Sequence, residues 1–151
     1  MHYVQLFDTH KHCYLTQLAA KQNRYVLMCM AYRVNGFKFH TEAHSVGKRA
    51  YNYGVGVYGT KEGDIEYNYY GVLKDIVQPE YVSEPLKRCV RFSCEWFDPR
   101  LNRGTRSHKL SKLIEVHHTR RYQKYDQFIF PNTASQVYFM PHVDRSRDRV
   151  N

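Results

Sequence analysis

Eight cations occupy one stretch of this chain. Arg100, Arg103, Arg106, Lys109, Lys112, Arg120, Arg121 and Lys124 are interrupted by a single acid, Glu115. Closely spaced like charges raise the local potential and draw a polyanion toward it. Tyr122 and Tyr125 lie among the last of these cations, and rings set between cations suit stacking on unpaired bases beside phosphate neutralisation. The segment therefore reads as a contact for DNA or RNA, with both tyrosines expected at the surface. The competing reading is a solvated loop followed by a strand with a charged outer face.

Other chemistry finds less support. Asp8, His10, His12 and Cys13 cluster near the start, His40 and His44 have H-x3-H spacing, and His117 and His118 are adjacent. A closed zinc site shows a tight Cys or His pair on each side of a loop, and no two such pairs match here. Cys89 and Cys94 are an odd number of residues apart, so on one strand they point to opposite faces. Scattered imidazoles are the preferred reading, and neither a metal nor another cofactor is expected. Gly54-Val55-Gly56-Val57-Tyr58-Gly59 satisfies G-x-G-x-x-G. A dinucleotide site would need a helix next, whereas Thr60–Asp64 leads into another strand-like run, so close backbone approach in a hairpin explains the glycines better. Cys94, between Phe92 and Trp96, is expected to be an inert buried thiol. Glu95, Asp98, Glu115 and Asp126 show no arrangement of paired carboxylates, so a non-catalytic protein is expected.

A second function class rests on the aromatic residues, which make up 15% of the chain. Tyr70, Trp96 and a third ring could cage a quaternary ammonium, as in methyl-lysine recognition, and the partner would then be a histone or another nuclear protein. Against this, β-proteins fill their cores with such rings, and Phe92 and Trp96 are expected inside. A dimerisation domain with an exposed strand edge is a further alternative.

The elements that must position these residues read mostly as strands. The chain has 151 residues with 42% apolar and 25% charged side chains, globular composition for one domain. Lys and Arg outnumber Asp and Glu by 23 to 14. Asn35-Gly36 between Tyr25–Val34 and Phe37–His40 is a strong hairpin signal. Further strand-like runs are Tyr53–Tyr58, Ile65–Val77, Cys89–Phe97, Leu113–His117, Gln127–Phe130 and Gln136–Met140, with Gly and Pro, including Pro79, as punctuation. Residues 11–22 alone have helical spacing. The expected fold is mainly β: a small antiparallel barrel or sandwich, closed on its own edges, with one short N-terminal helix. Residues 1–24 would form a helical extension, 25–142 the β domain and 143–151 a flexible basic tail. No secretory signal or bilayer-length apolar run is visible. Reduced cysteines, a nuclear (alternatively cytoplasmic) address and no membrane partner are expected.

Several strings together resemble a known family. Val34-Asn35-Gly36-Phe37-Lys38-Phe39-His40-Thr41, Asn52–Val57, Tyr69-Tyr70-Gly71-Val72-Leu73-Lys74-Asp75-Ile76, Phe92-Ser93-Cys94-Glu95-Trp96-Phe97-Asp98, and Asp126–Phe130 with Ala134–Phe139 follow one another in order. They resemble a plant domain of unknown function that accompanies the transposase of CACTA-type (En/Spm) DNA transposons. The resemblance implies a transposon-derived domain without the catalytic carboxylates, which belong to a separate domain. Gln127 stands where that family usually has Pro, and Arg103–Lys124 follows no family pattern. Gly71–Ile76 followed by Val90–Phe97 also resembles the core of bromo-adjacent-homology (BAH) domains, SH3-like barrels that engage chromatin.

Overall fold

The structure, a computed structural model, describes residues 22–49, 51–81 and 87–140. The expected N-terminal extension and helix, apart from their last residues, lie outside the described residues. So do the metal-ligand candidates Asp8, His10, His12 and Cys13 and the basic tail. Gln22, where the helix reading ended, already opens the first strand.

Eleven strands are described: β1 (Gln22–Cys29), β2 (Ala31–Val34), β3 (Phe37–His40), β4 (Gly54–Glu62), β5 (Ile65–Tyr81), β6 (Lys87–Arg88), β7 (Arg91–Trp96), β8 (Thr105–Ser107), β9 (Ile114–Val116), β10 (Phe128–Ile129) and β11 (Ser135–Val137). A single helical turn, α1 (Glu42–Ser45), follows β3, with Thr41 Oγ1 accepting from the His44 N–H as its cap. β2 and β3 form the expected hairpin. Asn35 (φ 51°) and Gly36 (φ 79°) both take the positive φ that a type I′ turn requires.

β5 organises the main antiparallel sheet, whose order is β10-β7-β5-β4-β11. β4 lies along the first half of β5 and β1 along the second, on the same edge; β7 and β6 take the other edge. Pro79 does not end β5. The strand runs through it to Tyr81, with Pro79 opposite Val26 next to an irregular stretch of the β1 register, a position that asks for no regular ladder N–H.

The expectation of a closed barrel is corrected. β10 and β11 end the sheet without pairing to each other, so it stays open. The strands at its two ends have only two and three residues, too short to carry the ladder around.

One face of the sheet is the core. Val55 and Val57 of β4, Tyr69 and Leu73 of β5, and Phe92, Cys94 and Trp96 of β7 are all buried on it, following strand alternation. The β2–β3 hairpin covers part of this face. Phe39 packs edge-on against Phe92 with centroids 5.1 Å apart, and Tyr32 does so at 6.0 Å. Phe92 and Trp96 are therefore core residues, as expected.

The glycine string of β4 is explained by packing. A Cβ at Gly54 would lie 2.1 Å from the Val137 carbonyl oxygen of β11, and β4 turns into β5 through Gly63 rather than into a helix.

Candidate nucleic-acid interface

The chain leaves the main sheet at the end of β7 and returns at Arg121, which bridges back to Phe97. The excursion between them carries Arg100, Arg103, Arg106, Lys109, Lys112 and Arg120, against the acids Asp98 and Glu115. Its outer part is a separate two-stranded ribbon. β8 pairs with β9 in the register Thr105↔Val116, Arg106↔Glu115, Ser107↔Ile114, and the His108 N–H donates to the Leu113 carbonyl beyond it.

Asp98 sets the base of this excursion. Its side chain is 4% exposed, and its carboxylate receives the Arg100 Nε (2.8 Å), Nη2 (2.6 Å) and backbone N–H (3.1 Å). Arg100 hydrogen bonds hold the Asp98 carboxyl below its ordinary value, against the opposing effect of burial. The Thr105 hydroxyl donates to the Asp98 carbonyl at 2.8 Å. Gly104 sits so close that a Cβ would lie 2.3 Å from both the Asp98 Cβ and its carbonyl oxygen. On the return side, the Asp98 N–H donates to the Arg120 carbonyl and the His117 N–H to the Gly104 carbonyl. Arg120 Nη1 adds a 2.6 Å bond to the Arg103 carbonyl. The two ends of the excursion are thus stapled by polar contacts.

The eight cations fall into three groups. Arg100 and Arg121 are matched by acids. Arg100 forms the bidentate pair with Asp98, and Arg121 Nε lies 3.3 Å from Glu95 Oε1 while its guanidinium covers the Phe97 ring at 4.5 Å. Arg103, Arg106, Lys109, Lys112 and Arg120 are exposed and share the excursion; of these, Arg103 reaches toward Asp98 at 3.9 Å. Lys124 is exposed but lies after the chain has rejoined the sheet. Glu115 engages His108 at 3.1 Å.

The expected exposure of Tyr122 and Tyr125 is corrected. Tyr122 is buried, and its hydroxyl donates to Glu62 Oε2 at 2.8 Å. Burial and then that bond to Glu62 push its pKa up to about 12. Tyr125 is half-buried and stacks flat on Tyr69, 3.9 Å between centroids and 6° between planes. Both rings pack into the cluster around Tyr69 and Trp96, because their apolar area is better placed there than in water.

Tyr70 and Trp96 do not come together. Trp96 pairs with Gly71 and faces the core beside Tyr69; Tyr70 points to the opposite face and meets Tyr58 at 6.1 Å. Trp96 is closed in further by its Nε1–H donating to the Asp126 carbonyl at 2.8 Å. A groove of about 550 Å³ runs beside it, rimmed by Lys74, Glu95 and Arg121. The three charges answer one another across the rim.

Burial raises the Cys94 thiol far above its ordinary value, as an inert thiol requires. No disulfide joins the described cysteines Cys29, Cys89 and Cys94. Among the described residues no group of three His, Cys, Asp or Glu is placed to hold a metal. The His40 and His44 rings lie 5.0 Å apart with their planes tilted by 48°, but Lys48 Nζ sits 2.6 Å from His44 Nε2. No described helix is long and apolar enough to cross a membrane.

Sequence reasoning missed Asp98, Gly104 and Thr105 as the anchor. The available signal was Asp98-Pro99-Arg100 followed closely by Gly104, a turn with an acid and a cation two residues apart. It also passed over the exposed apolar residues of the same module, Leu101, Leu110, Leu113 and Ile114.

Fold and site define an antiparallel β domain that carries a cationic ribbon on a polar clamp. Residues 77–149, just under half of the chain, match the family described as Domain of unknown function (DUF4216). That stretch begins inside β5 and contains the whole excursion; the three resembling strings between Val34 and Ile76 lie outside it. No curated protein and no solved structure matches the chain.

Proposed function

We propose that this protein is a non-catalytic nucleic-acid-binding module, derived from a plant transposon protein and acting in the nucleus, that holds phosphates through the β8–β9 excursion. One observation carries the reading: Arg103, Arg106, Lys109, Lys112 and Arg120 stand exposed on a single polar-clamped excursion that holds only two acids, one of them buried at its base. Such a surface neutralises phosphates and releases their counterions, so affinity must fall with salt. Lys124 adds charge nearby, whereas Arg100 and Arg121 contribute little because their charges are already answered.

The BAH-like comparison belongs to the same proposal, as an open relative of that fold. It is supported by Gly71–Ile76 and Arg91–Trp96 lying side by side as β5 and β7. The test is binding of a labelled oligonucleotide by fluorescence anisotropy over a range of salt. Steeply weakening affinity supports the reading, and affinity indifferent to salt overturns it.

A second reading, a dimerisation domain, is favoured by β1. Val26, Leu27 and Met28 along it, and Met30 after it, are exposed apolar residues on a strand whose described partner is β5 alone. Sedimentation velocity separates the two: a concentration-dependent dimer lost on Leu27→Lys supports it, and a monomer at every concentration removes it.

A further inference from the structure

We infer that the nucleic acid held by the β8–β9 excursion is duplex DNA, with the ribbon lying in its major groove. This rests on the phosphate-binding reading and deepens it by naming the partner.

Three observations carry the inference. The first is what the aromatic residues are doing. Sequence-tolerant binding of single strands uses exposed rings on which successive bases stack. In the segment from Phe97 to Tyr125, every Phe and Tyr ring is already engaged. Phe97 is buried under the Arg121 guanidinium, Tyr122 is bonded to Glu62, and Tyr125 lies flat on Tyr69. The exposed rings of the segment, His117 and His118, lie against each other with centroids 6.1 Å apart and 16° between planes. No Phe or Tyr ring of this segment is left as a stacking platform, so the surface suits a partner whose bases are already stacked on one another.

The second is shape. β8 and β9 bond to each other in a sheet of their own, apart from the main sheet. The B-DNA major groove, about 12 Å wide, admits a two-stranded β-ribbon. The major groove of A-form RNA is too deep and narrow for side chains to read. Arg106 on β8 and Lys109 and Lys112 on the connecting loop would run along the groove, while Arg103 and Arg120 at the base would meet the backbone.

The third is the apolar tip. Leu110 is completely exposed and Leu113 half exposed, each next to a lysine. Bare leucines gain nothing from phosphates. The thymine methyl group in the major groove is an apolar partner within reach of a ribbon placed there.

The test compares duplex DNA, single-stranded DNA and duplex RNA of equal length at one fixed salt concentration, using the whole chain. The expected result is that duplex DNA binds at least about tenfold more tightly than either of the others. Leu110→Ser, at a fully exposed position where the fold does not depend on the side chain, is expected to reduce duplex-DNA affinity about threefold and leave single-strand affinity unchanged. Equal affinity for the three probes, or preference for RNA or the single strand, overturns the duplex assignment while the phosphate reading stands. An unchanged duplex affinity in Leu110→Ser overturns the groove placement. Failure to bind any of the three overturns both readings.

Discussion

The main sheet and the β8–β9 excursion are held by opposite means. In the sheet, Phe39, Phe92, Trp96 and Tyr69 bury their rings against one another, and the polar groups they carry find partners at the edge of the cluster. In the excursion, Leu101, Leu110, Leu113 and Ile114 are left in water, and order comes from a carboxylate, a threonine hydroxyl and backbone bonds gathered at Asp98. Apolar burial fixes a scaffold that any neutral environment would keep. A polar clamp at one end instead leaves the far end of a ribbon uncovered and its charges available. Stability and proposed function are thereby assigned to different residues, and substitutions in the two regions should behave differently.

The largest effect is expected in the sheet. Phe92→Ala removes a fully buried ring that touches both Phe39 and Tyr32, and should cost about 3–5 kcal/mol in chemical denaturation. Leu110→Ser, at the ribbon tip, should change stability by no more than about 0.5 kcal/mol. A similar cost for both would erase the contrast.

Next comes Gly71→Ala. The added Cβ would sit 2.6 Å from the Trp96 ring and 2.7 Å from the Glu95 carbonyl oxygen, an overpacking worth about 1–3 kcal/mol. A shifted Trp96 fluorescence spectrum should accompany it.

Asp98→Asn sharpens the comparison from the other side. It should speed amide exchange through residues 100–117 while β5 and β7 keep their protection. Its pH signature has a definite sign. The Asp98 carboxyl titrates below its ordinary value of 3.8 in the folded state, so the unfolded chain takes up this proton first as acid is added. Its contribution is complete above that value and is lost as pH falls through the folded one. Asp98→Asn should therefore flatten the acid limb of a stability-against-pH curve; an unchanged limb would remove Asp98 from the clamp.

Within the scaffold, the smallest loss is expected at the β2–β3 turn. Gly36 has a φ of +79° with open space around its missing Cβ. Gly36→Ala should cost about 1 kcal/mol through backbone strain alone.

Local signals in the sequence were sufficient for much of the scaffold. Asn35-Gly36 specifies its own turn, and alternation in Arg91–Trp96 places Phe92, Cys94 and Trp96 inside without reference to any other strand. What escaped was set by residues far apart in the chain. Tyr122 is buried because Glu62, sixty positions earlier, receives its hydroxyl, and Tyr125 because Tyr69 offers it a flat face. β8, three residues long, has too few positions to show a period. The barrel expectation failed at the ends of the sheet, where closure depends on strand lengths rather than on pattern. Of the candidate site, the cationic stretch was legible as charge. Which cations are already answered by Asp98 and Glu95 became visible only once the chain was folded.

The central claim is that five exposed cations on the excursion neutralise phosphates. It is tested most directly by the salt dependence of duplex-DNA affinity for the native chain and for a variant with Arg103, Arg106, Lys109, Lys112 and Arg120 all replaced by serine. Full engagement of the five predicts a slope of log affinity against log salt of about −4.5 in the native chain, with most of it lost in the variant. A native slope near zero, or one that the five replacements leave unchanged in a folded variant, would contradict it.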